Sequence, residues 1–140
     1  MKKIALALLF VFATGSAVAQ TYACQFIMQA GMDKDPKKGW IISGFKVPEP
    51  FFLTMSNGLI DTKSVMEPPL KLSAFSVKCN KYAASMIGIV HWCADYTDHL
   101  SFNENTLNGG FAQTFGALQS STESEPDPIS VARFKCQKVG

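Results

Sequence analysis

The stretch Tyr22-Ala23-Cys24-Gln25-Phe26-Ile27-Met28-Gln29-Ala30 decides the fold class. Tyr22, Cys24, Phe26, Met28 and Ala30 alternate with Ala23, Gln25, Ile27 and Gln29, and a period of two puts successive side chains on opposite faces of an extended chain. This is a half-buried strand, with Met28 and Ala30 expected to continue the inward row. Upstream of it, Lys2 and Lys3 precede an unbroken apolar run from Ile4 to Phe12, followed by the small residues Ser16-Ala17-Val18-Ala19. That order is the mark of a removable export leader over residues 1–19, cut between Ala19 and Gln20. The apolar run is too short for a membrane span, which needs about 20 residues. Cys24 does not suit a lipid anchor either, because Gln20, Thr21 and the bulky Tyr22 stand where a lipobox has small apolar residues.

Residues 20–140 are then expected to form one domain, periplasmic or secreted, large enough for a hydrophobic core. The whole chain carries 13 Lys plus Arg against 11 Asp plus Glu, and the leader's Lys2 and Lys3 account for that excess. The remaining domain is formally neutral with dispersed cations, which argues against a nucleic-acid partner. Polar residues soon interrupt the later apolar runs near Phe51 and Met86, so no transmembrane segment is expected after the leader.

All four cysteines, Cys24, Cys79, Cys93 and Cys136, follow the leader. An even count in an exported chain favours disulfides, and four cysteines allow three pairings. The preferred one joins Cys79 to Cys93 across a local loop and Cys24 to Cys136 between first and last strands. No zinc-module spacing is present.

Downstream of the first strand, Asp33 to Gly39 has turn chemistry around Pro36, and Trp40 to Val47 resumes as a strand that Pro48 and Pro50 interrupt. Phe51 to Ser56 runs into Asn57-Gly58, a strong hairpin signal, with Leu59-Ile60 starting the return. Asp61 to Leu72 is a connecting loop with one helical turn, where Ser64 and Glu67 have capping-box spacing and Pro68-Pro69 stops the helix. Phe75, Val77 and Cys79 form a short strand; Tyr82 to Val90 fits a short helix or an apolar strand equally. Val90 to Tyr96 is extended, Thr97-Asp98 turns, and a strand runs from Leu100 to Leu107.

Asn108-Gly109-Gly110 is the second hairpin signal, followed by Phe111 to Leu118 with Gly116 as a bulge site, then an exposed polar loop over 119–128. In the last strand, Ile129 to Val139, the shift from Ile129 and Val131 to Ala132, Phe134 and Cys136 predicts a bulge near Val131. The pattern is all-β and mostly antiparallel: a closed or nearly closed meander barrel of about eight strands, with a two-sheet sandwich as the alternative.

No catalytic or cofactor motif stands out. His91, Asp95, Asp98 and His99 form the densest set of metal-ligand types, but strand geometry keeps them from converging, so they are read as ordinary surface and turn residues. Met28, Met32, Met55, Met66 and Met86, with Trp40 and Trp92, lack the tight spacing of a copper site and are read as core filler. Only His91 and His99 could serve a nucleophile as base, there is no G-x-S-x-G elbow, and carboxylate pairs such as Glu49 and Asp61 carry no signal. Glu123, Glu125 and Asp127 lack a calcium loop's glycine and spacing. The expectation is no enzyme, no metal and no cofactor.

Aromatic content points instead to a surface. Nine of the eleven Phe follow the leader, and Phe51-Phe52 puts adjacent rings on opposite faces, so one faces outward unless the 61–74 segment covers it. With Ser43 and Lys46, Phe51 and Phe52 are the candidate partner-binding residues.

A leader followed by a disulfide-tied β domain of this size resembles the small periplasmic lysozyme inhibitors and related inhibitor or immunity proteins. Ser43-Gly44-Phe45-Lys46 is similar to the Ser-Gly-containing, Lys-bearing loop with which one such family plugs its enzyme; that family's second, Tyr-containing motif is not reproduced. The resemblance implies a non-enzymatic module that binds a protein partner, an inhibitor or immunity-like protein of an envelope hydrolase. The alternative is a carrier holding a small apolar ligand or lipid inside the barrel.

Overall fold

The structure, a computed structural model, describes residues 19–73, 75–114 and 129–139. The expected leader up to residue 18, the Gly116 bulge site and the loop with Glu123, Glu125 and Asp127 lie outside the described residues. Nine strands and one short helix follow in order: β1 (Gln20–Asp35), β2 (Gly39–Gly44), β3 (Phe51–Ser56), β4 (Leu59–Ile60), α1 (Thr62–Met66), β5 (Lys78–Ala84), β6 (Gly88–Ala94), β7 (Asp98–Asn103), β8 (Asn108–Gln113) and β9 (Ile129–Val139). All pairings are antiparallel, in the order β4-β3-β1-β9-β8-β7-β6-β5, and β4 packs against β5 and β6 across an unpaired seam. The result is a nearly closed eight-strand barrel, and β2 is an additional strand beside β1.

The first strand is the spine of this arrangement. Its 16 residues pair with β9 on one side, and on the other with β3 over Gln20–Cys24 and with β2 over Ala30–Asp35. Tyr22, Cys24 and Phe26 point inward as expected, but the register shifts between Phe26 and Met28. The bulge at Ile27 turns Met28 outward, opposite Arg133, so Met28 and Ala30 do not continue the inward row. A bulge adds one residue to one strand and increases its coiling, which a strand this long needs to follow a barrel wall. The phase break predicted near Val131 is therefore on the partner strand. In β9, Ser130, Ala132, Phe134 and Cys136 stay inward without interruption, and the buried Ser130 hydroxyl accepts from Gln29 Nε2 at 3.1 Å.

Both cysteine pairs are bonded as expected, Cys24–Cys136 and Cys79–Cys93, across directly opposed strand positions with Cα separations of 4.0 and 4.1 Å. Cys136 N–H donates to Leu107 O at 2.7 Å, away from β1, so Cys24 and Cys136 occupy a non-hydrogen-bonded pair, where antiparallel strands come closest.

The Asn57-Gly58 hairpin forms with φ of 54° and 72°, the double positive φ of a type I′ turn. The second hairpin forms elsewhere than expected. Asn103 Oδ1 accepts from the N–H groups of Asn105 and Thr106 at 3.0 and 2.9 Å, bending the chain over Glu104–Leu107. Asn108-Gly109-Gly110 is strand instead of turn, because the Phe134 ring occupies the space where a Cβ on Gly109 would stand. Other boundaries shift for local reasons. Asp35 Oδ1 accepts from Lys37 and Lys38 N–H at 2.8 Å each, confining the first turn to Pro36–Lys38. Asp61, not Ser64, caps α1 by accepting from Lys63 N at 3.0 Å. Ser76 and Val77 donate back to Ser73 O, so Phe75 sits exposed in a turn and β5 begins at Lys78. Tyr82 to Val90 is a strand–turn–strand hairpin over Ser85–Ile87.

Aromatic rings fill the interior. Phe26, Phe51 and Phe134 meet with centroids 4.9, 5.8 and 5.2 Å apart, and Tyr22 meets Phe102 edge-on at 5.0 Å. The segment after β4 contributes Val65, Leu70 and Leu72 to the same core instead of covering the outer face of β3.

Candidate functional site

Register assigns every strand residue to the inner or outer face, because directly opposed residues share a face. Outward on the distal half of β1 are Met28, Ala30, Met32 and Lys34. Beside them on β2 lie Trp40, opposite Lys34, and Ile42, opposite Met32; on β9, Ile129, Val131 and Arg133 oppose Met32, Ala30 and Met28. Five apolar members of this three-strand face are open: Ile42 at 90%, Val131 at 54%, Met28 at 50%, Trp40 at 40% and Met32 at 39% exposure. Together they present on the order of 500 Å² of contiguous apolar surface, at the upper end of what a monomer leaves uncovered without a partner. The bulge at Ile27 creates this face, since without it Met28, Ala30 and Met32 would be inward.

Four strand cations, Lys34, Lys78, Arg133 and Lys135, fall on outward rows, while Lys81 and Lys138 oppose the inward His91 and Tyr22 and the strand carboxylates Asp33, Asp35 and Asp98 share the inward rows. Among the described residues the one ion pair is His91–Glu104, so no Lys or Arg near the face is engaged.

The four candidate binding residues separate. Phe51 is 4% exposed and belongs to the core; Phe52, 62% exposed, faces outward beside Ala23. It forms one wall of a cleft of about 410 Å³ with Pro50, Asp61, Lys63 and Glu67. Ser43 takes the inner row of β2, and Lys46 is exposed in the crossing to β3. Ser43 and Lys46 thus lie beside the apolar face. Glu49 lies in the loop before β3, while Asp61 is the helix cap.

His91, Asp95, Asp98 and His99 do not converge. His91 is fully buried, with Nε2 2.9 Å from Glu104 Oε2, so it is neither a surface nor a turn residue. His99 is outside, stacked on Trp92 at 5.9 Å. Asp95 orders the β6–β7 turn. Its burial opposes ionisation, yet N–H donors from Ser73, Thr97 and Asp98 outweigh that and hold its carboxyl below the ordinary Asp value. Tyr22 is shifted the other way: burial, and then the Glu104 carboxylate, push its phenol above the ordinary value. Of the five methionines read as core filler, Met55 alone is buried; Met28, Met32 and Met86 are exposed and Met66 is half-buried.

Sequence reasoning missed the face on β2, β1 and β9, although one signal was present. Trp40-Ile41-Ile42 is apolar on both faces of a strand, which an ordinary half-buried strand is not. Comparison with family models, with curated proteins and with solved structures returns no match to this chain.

Proposed function

We propose that the domain is a non-enzymatic protein-binding module working in the periplasm or outside the cell, an inhibitor or immunity-like protein directed at an envelope hydrolase. The observation that carries this reading is the open apolar face of Met28, Met32, Trp40, Ile42 and Val131, framed by cations that form no ion pair among the described residues. Exposed patches of this size mark interaction surfaces, and buried aromatic anchors with an Arg at the margin dominate binding energy once a partner excludes water. Two disulfides suit an oxidising, exported setting. The carrier alternative draws no support from the interior, where Phe26, Phe51, Phe102 and Phe134 stand in the place of a ligand.

The test is affinity capture from envelope extract with the mature domain, beside a variant carrying Met28→Glu and Val131→Glu. Both positions are open, so the variant folds. The expected result is a captured protein, or inhibition of a lysozyme-type hydrolase, that the double variant loses. Wild-type domain that captures nothing and inhibits nothing refutes the proposal.

A further inference from the structure

Among the described residues three strands, β4, β5 and β2, have a neighbour on one side only, and two of these edges are protected. β4 is two residues long, too short to template another strand, and β5 carries Lys78 and Lys81. Edges of those kinds are blunted against pairing with other chains. β2 is different. Its sequence, Gly39-Trp40-Ile41-Ile42-Ser43-Gly44, holds no Pro and no charge, and among the described residues it pairs with β1 alone. Half of its backbone N–H and C=O groups therefore face away from the sheet.

Cations lie nearest its two ends. Lys37 and Lys38 immediately precede β2 and Lys46 follows it, none in an ion pair among the described residues. Carboxylates are near as well, Asp33 and Asp35 on β1 and Glu49 after Lys46, but Asp33 Oδ1 and Asp35 Oδ1 are turned to the backbone, accepting from Lys34 N–H and from the N–H groups of Lys37 and Lys38 at 2.8 Å each. The edge is thus an apolar run of open backbone with lysines at both ends that form no ion pair among the described residues.

We propose that β2 accepts an extended segment of the partner as an added strand, and that this segment is apolar in its middle and acidic at both ends. Main-chain hydrogen bonds to β2 hold it. Its apolar side chains join the outward row of Trp40 and Ile42, and its terminal carboxylates meet Lys37, Lys38 and Lys46. The proposal rests on the protein-binding role above and names how the partner is held. A second copy of this chain fits less well, because antiparallel β2–β2 pairing brings the cations after one strand toward those before the other.

The probe is a blocked nine-residue peptide with Val and Thr alternating between paired glutamates; its counterpart has lysines in place of the glutamates. Amide exchange of residues 39–44 is followed by NMR. At a peptide concentration about ten times its Kd, the acidic peptide slows the outward-directed β2 amides about tenfold. The effect fades in high salt, and the lysine peptide is inert. Ile42→Lys, at an open position that leaves the core intact, abolishes the protection.

Equal protection by both peptides, or none by the acidic one, overturns the proposal. Protection that grows with protein concentration in the absence of peptide also overturns it, since the occupant is then a second copy. The capture experiment separates the two proposals. A partner retained by Ile42→Lys but lost with Met28→Glu and Val131→Glu removes the added strand and leaves the binding role standing. Failure of capture by the wild type removes the binding role itself.

Discussion

Removing the Cys24–Cys136 bridge destabilises the domain more than removing Cys79–Cys93. The clean perturbation is paired replacement, Cys24→Ala with Cys136→Ala against Cys79→Ala with Cys93→Ala, which leaves neither a free thiol nor a buried hydroxyl. The bridges close loops of 112 and 14 residues. Cross-linking removes denatured-state entropy in proportion to the logarithm of loop length, so the losses are about 4.8 and about 3.0 kcal/mol. Packing acts in the same direction, since Cys24 and Cys136 are both buried while Cys79 is only partly so. Either loss is a large fraction of the roughly 5–15 kcal/mol that holds a domain of ordinary stability. The assay is equilibrium urea unfolding followed by tryptophan fluorescence without reductant. The midpoint of the terminal-bridge variant should fall below that of the local-bridge variant by about 1 M, from a slope of 1–3 kcal/mol/M. Equal midpoints, or the opposite order, would refute the chain-entropy account and leave bond enthalpy and denatured-state structure as the source of the stabilisation.

Phe51→Ala opens a cavity in the ring cluster and costs about 3–5 kcal/mol, whereas Phe52→Ser changes stability by less than about 0.5 kcal/mol; urea midpoints of the two variants check the contrast. Gly109→Ala drives a methyl into the Phe134 ring and costs about 1–3 kcal/mol, read as a lowered Tm. Asp95 has a folded-state pKa below its unfolded value, so its stabilisation is fully present above the unfolded pKa of about 4 and is lost as pH falls through the folded one. The Tm gap between wild type and Asp95→Asn should thus be constant near neutrality and close on acidification; a gap that widens in acid contradicts the assigned hydrogen bonds.

Much of the fold was legible because β structure writes itself in a period of two. The alternation of β1 up to Phe26 and of β9 from Ala132 and the Asn57-Gly58 turn follow from local chemistry, and the cysteine pairing followed from the expected meeting of first and last strands. What failed depended on neighbours distant in sequence. Asn108-Gly109-Gly110 has turn composition, but its glycines answer to the Phe134 ring, which no local reading contains. The bulge was placed in β9 because Ile129 and Val131 are apolar. Their apolarity belongs to the outer face, and Ser130 takes the interior through Gln29. None of the four residues singled out in the sequence belongs to the open apolar face: Phe52 is exposed on β3 opposite Ala23, Phe51 is in the core, and Ser43 and Lys46 lie beside the face. The face itself needs the register among β2, β1 and β9, which is tertiary information.

The pairing of the first strand with the last has a consequence for how the chain is made. The β5–β8 region consists of adjacent hairpins that can form as soon as they emerge, but β1 waits for a partner more than a hundred residues later, as the separation of 112 between Cys24 and Cys136 shows. Such non-local pairing must overcome chain entropy before any contact rewards it, so it comes late and slowly. A chain emerging from its N-terminus can pair one edge of β1 with β2 and β3 early but keeps the opposite edge open until β9 arrives. A product cut before Ile129 would be left with the open flanks of β1 and β8 as a seed for aggregation.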